Sequence, residues 1–417
     1  MLTLISTKRR VVVTGVSSIT SVGIGKNEFW DALKNGRSGI SMISAFDTTA
    51  FTTKFAGEIK NFDPTHWIEY KKTRRMDRTS QLAVACAKMA VEDAKLEPAQ
   101  FQGERTGVII GTAMAGHGYI LEQHTTFMRG GPMRINPFTA LASFPDACAG
   151  NVSIELQVTG PSFSLATACS SASDAVGYAL EAIRSGTVDF FIMGGAEASI
   201  YPGILAAFCV ARALSTRNDE PQRASRPFNL DRDGFVLGEG SGMLVLEEYE
   251  HAKKRGAHIY AEILGHGMTC DAYHMTVPDP SGKEAARAMR MVIANAGLTP
   301  RHIDYINAHG TSTPLNDKTE TMVIKQVFGE QAYKIPVSAT KSMVGHLIGA
   351  AGSVELIATL LAMDNQILPP TINYETPDPE CDLDYVPNKS RPAKINIAMK
   401  NSFGFGGKNS VLVVGRV

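Results

Sequence analysis

Short runs rich in β-branched residues alternate with stretches of helical periodicity, and this alternation restricts the chain to α/β folds with largely buried strands. A helix is predicted around residues 80–95. The predicted strands are residues 10–15, 106–111, 188–195, 242–247, 303–307 and 335–338, followed by a C-terminal hairpin of 395–400 and 410–414. At 417 residues the chain is long enough for two domains or one large duplicated domain.

Two segments of similar design indicate a duplication. In the first, a predicted strand ending near Thr167 leads through Cys169 into a helix rich in small residues that runs to about Ser185. In the second, residues 337–340 lead through Lys341 and His346 into the small residues 349–353. We expect the two helices to pack at the centre with their N-termini at one site. The basic residues 253–256 mark the predicted boundary, giving an N-terminal half 1–255 and a C-terminal half 256–417.

Cys169 stands between an apolar run, which predicts a short buried strand, and the first small-residue helix. A thiol there meets the positive end of the helix dipole and unpaired backbone N–H groups, which favour thiolate and could hold an oxyanion. A free cysteine in such surroundings is otherwise a small core residue. The other five are interpreted in that way: Cys86, Cys148, Cys209, Cys270 and Cys381. Because their spacing fits neither a zinc site nor a disulfide framework, a reduced, cytoplasmic protein without a metal is expected.

The charge and the hydropathy of the chain limit the kinds of partner that it could bind. The formal net charge is zero, so nothing at the level of the whole chain points to nucleic acid or membrane. Residues 1–10 lack the charged-then-apolar order of a signal peptide, and the apolar stretch 347–363 contains Glu355, which indicates a buried helix and not a membrane span. The basic run 71–78 is either a solvated helix face or, with Arg134 and Arg212, a docking patch for an acidic partner.

Three further segments carry reactive or flexible residues at predicted strand ends. They are residues 307–314 with His309, residues 341–346 with Lys341 and His346, and the glycine-rich residues 401–407. Each is weak evidence alone, and the glycine-rich run lacks the spacing of a phosphate-binding loop. Together with Cys169, they predict a single active site.

In these motifs the sequence resembles the β-ketoacyl-acyl-carrier-protein synthases, most of all the type II condensing enzymes of bacterial fatty-acid synthesis. The matching blocks are residues 167–169, 231–240, 271–276, 309, 341–346 and 404–407, and the resemblance runs from about residue 10 to the C-terminus. It implies the thiolase fold, a duplicated α/β/α/β/α five-layer sandwich that dimerises. It also implies a decarboxylative condensation of a cysteine-bound acyl chain with a malonyl thioester.

The resemblance assigns a role to each reactive residue. Cys169 would be the nucleophile, and its backbone N–H would form the oxyanion hole together with that of Phe405. His309 and His346 would donate hydrogen bonds to the enolate as neutral imidazoles, kept neutral by a nearby ammonium and a helix N-terminus. Lys341 would supply that ammonium without acting as a base, and Glu355 would anchor the lysine.

Further expectations concern the gate, the substrates and the partner. Phe405 would gate the site on the flexible glycines Gly404, Gly406 and Gly407, with Asp271 and its neighbours as a companion loop. Thr311 and Thr313 would hydrogen-bond a phosphopantetheine arm, and no cofactor beyond that substrate carrier is expected. Met114, unless it is plain core, and Thr139 would line the acyl pocket. The residues expected to grip the acyl carrier protein are Lys71, Arg74, Arg75, Arg134 and Arg212.

Two departures from the family leave the pathway open. After the cysteine the chain has Ser170–Ser171–Ala172, where the fatty-acid enzymes usually have Thr-Ser-Gly, and residues 139–148 are also unusual. The alternative is therefore a ketosynthase of a type II polyketide or polyene pathway, either a homodimer or a heterodimer with a chain-length-factor subunit. A non-catalytic partner subunit would lack Cys169, and a thiolase would carry a cysteine where this chain has Phe405.

Overall fold

The computed structural model describes residues 9–417. Its strands are β1 Val11–Thr20, β2 Gly23–Ile24, β3 Ser41–Met42, β4 Phe55–Ala56, β5 Thr106–Gly111, β6 Ser162–Leu165, β7 Phe190–Glu197, β8 Gly240–Glu248, β9 Ala261–Cys270, β10 Tyr305–Asn307, β11 Val337–Ser338, β12 Ile367–Leu368, β13 Arg391–Pro392, β14 Ile397–Gly404 and β15 Lys408–Gly415. Its α-helices are α1 Lys26–Lys34, α2 Tyr70–Thr73, α3 Arg78–Asp93, α4 Pro98–Phe101, α5 His117–Gly130, α6 Thr139–Ala142, α7 Ala147–Leu156, α8 Ser171–Arg184, α9 Pro202–Val210, α10 Tyr249–Lys254, α11 Lys283–Asn295, α12 Pro314–Phe328, α13 Lys341–Val344 and α14 Ala351–Asn365. The expectation that residues 1–10 are not a signal peptide concerns a segment whose first eight residues lie outside the described part of the chain.

The strand order repeats between the two halves. The N-terminal half has the order β6-β5-β7-β8-β1, and the C-terminal half has the order β11-β10-β14-β15-β9. In each half the first two pairings are parallel and the last two antiparallel. The halves join where β1 pairs antiparallel with β9, at Val12 opposite Glu262 and Val13 opposite Ala261. The predicted duplication is confirmed.

Helices cover the strands in five layers. The central helices α8 and α14 contact each other and strands of both halves, whereas α3 and α7 lie outside the N-terminal strands and α11 and α12 outside the C-terminal ones. The strand side chains alternate between these layers. In β7, Phe191 and Met193 pack into the central core, and Phe190 and Ile192 pack against α3. The α/β/α/β/α arrangement follows from this alternation.

The two central helices meet at the point where each begins. A Cβ on Gly352 would lie 2.5 Å from Oγ of Ser173, so only glycine allows this approach of α14 to α8. A 3-10 turn, Ile348–Ala350, precedes α14, and α14 is buried up to Met363. In residues 9–417 no helix is long and apolar enough to cross a membrane.

One strand was not predicted, and the burial of another, which is present as β6, was predicted wrongly. Strand β9 was not predicted, because Gly265 and Gly267 interrupt its apolar pattern; a Cβ on Gly267 would lie 2.4 Å from the carbonyl oxygen of Ala288 in α11. The run before Cys169 was predicted to be a buried strand. It is instead the edge strand β6, whose Phe163 side chain is 38% exposed.

Candidate active site

The four reactive segments all follow strands. Cys169 follows β6, His309 follows β10, Lys341 follows β11 and opens α13, and Phe405 follows β14. Because β10, β11 and β14 are mutually parallel neighbours, their carboxyl ends reach the same edge of the sheet. The loop after β14 also comes close to Cys169 of the N-terminal half, so segments of both halves meet at one place.

The nucleophile candidate lies on a tight turn. Ala168 has a φ of 54°, in the left-handed region, and this strained residue turns the chain from β6 towards α8. Cys169 is only 3% exposed. A Cβ on Gly404 would lie 3.1 Å from the backbone nitrogen of Cys169, so a glycine there lets the loop after β14 come close to the cysteine.

Burial, and not the helix, dominates the titration of this cysteine. Burial raises the pKa of the Cys169 thiol to about 11, although the backbone N–H of Phe405 and the ammonium of Lys341 act in the opposite direction. The backbone N–H of Phe405 favours the thiolate, as expected of N–H groups at this turn, but burial has the larger effect. The thiol is protonated at neutral pH, so it must lose its proton as it reacts.

The serines after Cys169 stabilise the turn. Ser170 Oγ donates to the Thr167 carbonyl oxygen at 2.8 Å and to Asp174 Oδ2 at 3.0 Å. Ser171 Oγ donates to the Ala168 carbonyl at 2.7 Å and accepts from the backbone N–H of Thr167 at 2.8 Å. These hydroxyls are therefore engaged in hydrogen bonds within the turn.

A buried carboxylate, which was not predicted from the sequence, completes the turn. Asp174 accepts from Thr167 Oγ1 and lies 3.2 Å from Nε2 of His266 in β9. Burial alone would raise the pKa of Asp174, but the bonds from His266 and Thr167 outweigh it and hold the pKa below its usual value. Asp174 links the nucleophile turn to the C-terminal half.

The two predicted histidines are neighbours. His309 and His346 are buried, with ring centroids 5.4 Å apart and ring planes nearly perpendicular. Lys341 Nζ donates to the carbonyl oxygen of His309 at 2.7 Å and lies 3.3 Å from its Nδ1. Because an ammonium can only donate, Nδ1 must accept, and the proton of the neutral His309 ring is on Nε2.

Both imidazoles are uncharged at neutral pH. Burial lowers the pKa of each well below its ordinary value, and the ammoniums of Lys341 and Lys400 lower it further. Neutral histidines were expected, and the lowered pKa values agree with that expectation. Burial, which cannot be read from the sequence, contributes more to the lowering than the ammoniums do. The site therefore offers neutral N–H donors.

Buried charges surround the histidines. Lys341 Nζ donates to Glu355 Oε1, as expected. The sequence did not point to Lys400, whose Nζ lies 3.1 Å from Glu355 Oε2. Nor did it point to Glu320, which accepts from the backbone N–H groups of His309 and the following glycine at 2.8 and 2.9 Å. Lys400 lies in the pattern of strand β14 and Glu320 in that of helix α12. A single charged residue in such a pattern does not indicate a role in an active site.

The predicted gate consists of two loops bonded to each other. Phe405 is 36% exposed at the turn between β14 and β15. The Gly406 N–H donates to the Met275 carbonyl at 2.7 Å, and the Asp271 N–H donates to the Gly407 carbonyl at 2.8 Å. Asn409 Nδ2 donates to Asp271 Oδ1 at 2.6 Å. The structure thus places the Phe405 loop against the loop of Asp271.

Thr311 and Thr313, which are expected to bind the phosphopantetheine arm, follow His309 closely in the chain. Their hydroxyl oxygens are 2.9 Å apart, and Thr313 Oγ1 also accepts from the backbone N–H of Asn316, where it caps α12. Thr311 is buried. The pair is therefore held on the chain segment that also carries His309.

The two pocket candidates differ in their position. Met114 follows β5 and donates its N–H to Glu197 Oε1 at 3.2 Å; burial raises the pKa of this carboxyl to about 7. Glu197 also accepts from the Gly349 N–H at 3.0 Å, which ties Met114 to the start of the second central helix. Thr139 begins α6, and its hydroxyl donates to the Asn136 carbonyl at 2.6 Å. Met114 is thus linked through Glu197 to the turn before α14, whereas the Thr139 hydroxyl bonds only within its own loop and towards Gln123.

The basic residues that are expected to bind the acyl carrier protein are all exposed, namely Lys71, Arg74, Arg75, Arg134 and Arg212. Lys72, between them, pairs with Glu155 at 2.7 Å. Asn136 Nδ2 donates to the Arg74 carbonyl at 3.4 Å, and the Arg75 guanidinium lies 5.2 Å from the ring centre of Phe138. These contacts bring four of the predicted docking residues to one region, namely Lys71, Arg74, Arg75 and Arg134. Arg212 follows α9 on a separate segment.

This fold and site define a class of protein, the thiolase-like condensing enzymes. The model of the family "Beta-ketoacyl synthase, N-terminal domain" matches residues 8–252, and that of the "Beta-ketoacyl synthase, C-terminal domain" matches residues 260–375. The chain belongs to the β-ketoacyl synthase family, so the predicted family and enzyme class are confirmed.

Relatives and solved structures agree. The chain is 48% identical over 405 residues to a "3-oxoacyl-[acyl-carrier-protein] synthase 2" of Synechocystis, covering 97% of each chain. It is 46% identical to a protein of the same name from Coxiella burnetii, covering 98% of this chain and 99% of that one. Among solved structures, "The ishigamide ketosynthase/chain length factor" matches with a TM-score of 0.93 and 38% identity, over 98% of this chain and 100% of that one. A type II polyketide ketosynthase, titled as in complex with its acyl-carrier protein, matches with a TM-score of 0.92 and 39% identity over the same shares.

Proposed function

We propose that the protein catalyses a decarboxylative Claisen condensation, joining an acyl group carried on Cys169 to malonyl-acyl-carrier-protein and releasing β-ketoacyl-acyl-carrier-protein. The observation that carries the proposal is the buried cysteine on its helix turn, combined with two buried neutral histidines backed by Lys341. A nucleophile and a pair of neutral N–H donors are what the two half-reactions require.

The first half-reaction is acyl transfer. Sγ of Cys169 attacks the acyl thioester, an S–C bond forms, and the pantetheine sulfur leaves with the proton that the thiol loses. The backbone N–H groups of Cys169 and Phe405 would hold the oxyanion of the tetrahedral intermediate. The close approach of the Gly404 loop to Cys169 supports this pairing.

The second half-reaction is decarboxylation followed by carbon–carbon bond formation. The C–C bond to the malonyl carboxylate breaks, carbon dioxide leaves, and its electron pair forms an enolate on the thioester. His309 and His346 would stabilise the enolate oxygen through ring N–H groups, and the Nε2–H tautomer of His309 supports this role. The enolate carbon then attacks the acyl carbonyl, and Cys169 leaves as thiolate and regains a proton.

The substrates would arrive on acyl carrier protein. Support comes from the names of the curated relatives and from the exposed basic residues around Arg74 and Arg75. Thr311 and Thr313 would bind the phosphopantetheine arm beside His309. The Phe405 loop and the Asp271 loop would open and close the site, since their mutual hydrogen bonds are few. No resident cofactor is part of the proposal.

Fatty-acid chain elongation is the pathway we favour, because relatives of 46–48% identity carry the name 3-oxoacyl-[acyl-carrier-protein] synthase 2. A type II polyketide or polyene ketosynthase is the second candidate, supported by the ketosynthase structures at 38–39% identity. Incubation with acyl carrier proteins of graded chain length and unsaturation, followed by mass spectrometry of acylated Cys169, separates them. Acylation by saturated chains of many lengths supports the first, and acylation only by polyenoyl or polyketide chains supports the second.

The assembly would be a homodimer. The edge strand β6 and the helix α7 beside it support a subunit interface on this side, because both expose apolar side chains, namely Phe163 and Ile154. A heterodimer with a chain-length-factor subunit is the alternative. Analytical ultracentrifugation of the purified chain decides: a dimer of this chain alone supports the first, and a stable monomer supports the second.

Two further proposals remain. The halves 1–255 and 256–417 would be the two domains, and the proposed boundary lies in the connection between α10 and β9. A cytoplasmic location would suit the free cysteines of the described residues.

A further inference from the structure

Lys400 is a completely buried lysine in β14, beside the catalytic cluster. Its ammonium donates to Ser173 Oγ at 3.1 Å and to Ser402 Oγ, and it lies 3.1 Å from Glu355 Oε2. A buried ammonium costs several kcal/mol unless it is paired and hydrogen-bonded. The half-reactions described above assign no role to this residue.

With Glu355 and Glu320 both ionised, the charges behind the histidines balance only when Lys400 is counted. Burial raises the pKa of Glu320, and the hydrogen bonds that it accepts act in favour of its ionised form. Two ammoniums, Lys341 and Lys400, hold the two oxygens of Glu355. A second buried carboxylate, Glu320, is bonded to the backbone of His309 and to Asn401, with no cation in contact among the described residues. When both carboxylates are ionised, removal of Lys400 would leave one cation against two anions.

We propose that Lys400 is a positioning residue for decarboxylation: its ammonium offsets the Glu355 and Glu320 carboxylates, so that His309 and His346 stay neutral donors to the enolate. An excess negative charge behind the histidines would favour imidazolium and would repel the enolate. The inference rests on the proposed function. It goes further by adding a residue that touches no substrate.

The same ammonium is tied to the nucleophile helix through Ser173, yet its electrostatic effect is directed at the histidines. The positive charge of Lys400 lowers the pKa of both histidines, and the larger influences on the Cys169 thiol come from other groups. The titratable and charged groups that face Lys400 are Glu355 on α14, Lys341 on α13, Glu320 on α12, and His309 and His346. We therefore expect Lys400 to affect decarboxylation and not acylation.

The pH dependence has a definite sign. Burial lowers the pKa of Lys400 to about 8, against the effect of Glu355. Below that pH the ammonium is present, and decarboxylation runs at its full rate until the histidines take up protons in acid. Above it the ammonium loses its proton, the charge balance is lost, and decarboxylation falls.

The test compares the two half-reactions in wild type and in Lys400→Met, a neutral residue of similar length. Malonyl-acyl-carrier-protein decarboxylation is measured from about pH 5.5 to about pH 9.5, and acylation of Cys169 is followed by mass spectrometry. In Lys400→Met we expect kcat for decarboxylation to fall about tenfold at pH 7 with little change in KM, and its acidic limb to move up by about one pH unit. Acylation should stay within about twofold of wild type. The limb near pH 8 should be absent.

Two controls keep the outcome decisive. Lys394→Met removes an exposed lysine from the same segment and should leave both pH profiles unchanged. Ser402→Ala removes a hydrogen bond to Lys400 but keeps its charge, so it should retain the wild-type limb near pH 8. If Lys400→Met does not fold, the wild-type profile alone decides: a decarboxylation rate that stays constant from about pH 7 to about pH 9.5 overturns the proposal.

The outcomes also separate this inference from the proposed function. A wild-type enzyme that decarboxylates, with a Lys400→Met variant of the same kcat and pH profile, contradicts only the role of Lys400. A wild-type enzyme that never decarboxylates malonyl-acyl-carrier-protein contradicts the proposed function and this inference with it.

Discussion

The strands β6 and β11 are equivalent in the duplicated fold, and Cys169 follows the first while Lys341 and His346 follow the second. The nucleophile turn around Cys169 and the histidine cluster around His309 and His346 are nevertheless stabilised differently. Around Cys169 the bonds come mostly from serine and threonine hydroxyls and one carboxylate, Asp174. Around His309 they come from buried ammoniums and carboxylates.

The difference follows from the two half-reactions. Acyl transfer needs a thiol at a fixed position and two backbone N–H groups, so neutral hydrogen bonds are sufficient to hold the turn. Decarboxylation develops a negative charge on an oxygen, and this charge is stabilised by fixed donors in a field of suitable sign. On the proposed function, the N-terminal half fixes the position of the thiol, and the C-terminal half supplies the charges behind the donors to the enolate.

The largest effect is expected for Cys169→Ala. Loss of the sulfur removes the bond-forming atom, so acylation should fall by about 10⁴-fold or more. Mass spectrometry of the intact protein after incubation with acyl-carrier-protein substrates measures it. Cys86→Ala, at another buried cysteine, should acylate normally. An acyl adduct on Cys169→Ala would show that the nucleophile is a different residue.

Replacing either histidine by alanine should separate the two regions. We expect malonyl decarboxylation to fall by about 10²- to 10³-fold, because one enolate donor is lost, while acylation of Cys169 remains largely intact. Release of carbon dioxide and acyl-enzyme formation are measured on the same preparations. His258→Ala, at an exposed histidine, is the matched control. Loss of acylation with retained decarboxylation would reassign the two histidines.

Asp174→Asn should lower the free energy of unfolding by about 1–3 kcal/mol. The reason is that the hydrogen bonds from Thr167, Ser170 and His266 lose their charged acceptor. The pKa of Asp174 is lowered by folding, so its stabilising effect is fully present above the unfolded value of about 3.9 and is lost as the pH falls through the folded value. Thermal unfolding from about pH 7 to about pH 3 measures it. The difference in Tm between wild type and variant should shrink in acid; a difference that grows would contradict the account.

The smallest effect concerns the surface. Reversing the charge at Arg74, Arg75 and Arg212 together should raise KM for carrier-protein substrates several-fold, since each exposed pair contributes up to about 1 kcal/mol. KM for pantetheine analogues should be unchanged. Lys254→Glu, at an exposed lysine on α10, is the control. An equal rise for both kinds of substrate would rule out a docking patch.

The same contrast explains how much the sequence could predict. The strands, the two small-residue helices and the four strand-end segments are local patterns, and they placed Cys169, His309, Lys341 and Phe405 correctly at the ends of their strands. Strand β9 was not predicted, because its glycines are required by contacts with α11, which lies far along the chain.

The electrostatics of the site depend on burial and on distant partners. Burial raises the pKa of the Cys169 thiol to about 11, whereas the helix N-terminus that the sequence predicts would act in the opposite direction. Lys400 and Glu320 become part of the site only when β14 and α12 pack against the histidine loop. A charged residue in an ordinary strand or helix pattern does not reveal such a partnership.

A single-turnover experiment tests the central claim most directly. The claim is that the cysteine carries the acyl chain and that the histidines promote decarboxylation. Wild-type enzyme acylated on Cys169 is isolated and mixed with malonyl-acyl-carrier-protein, and the Cys169 peptide and the carrier protein are followed by mass spectrometry. We expect the acyl mass to leave Cys169 and to appear on the carrier protein as a β-ketoacyl chain two carbons longer, with one carbon dioxide released. An acyl group that stays on Cys169, or that leaves only as free acid, would contradict the account.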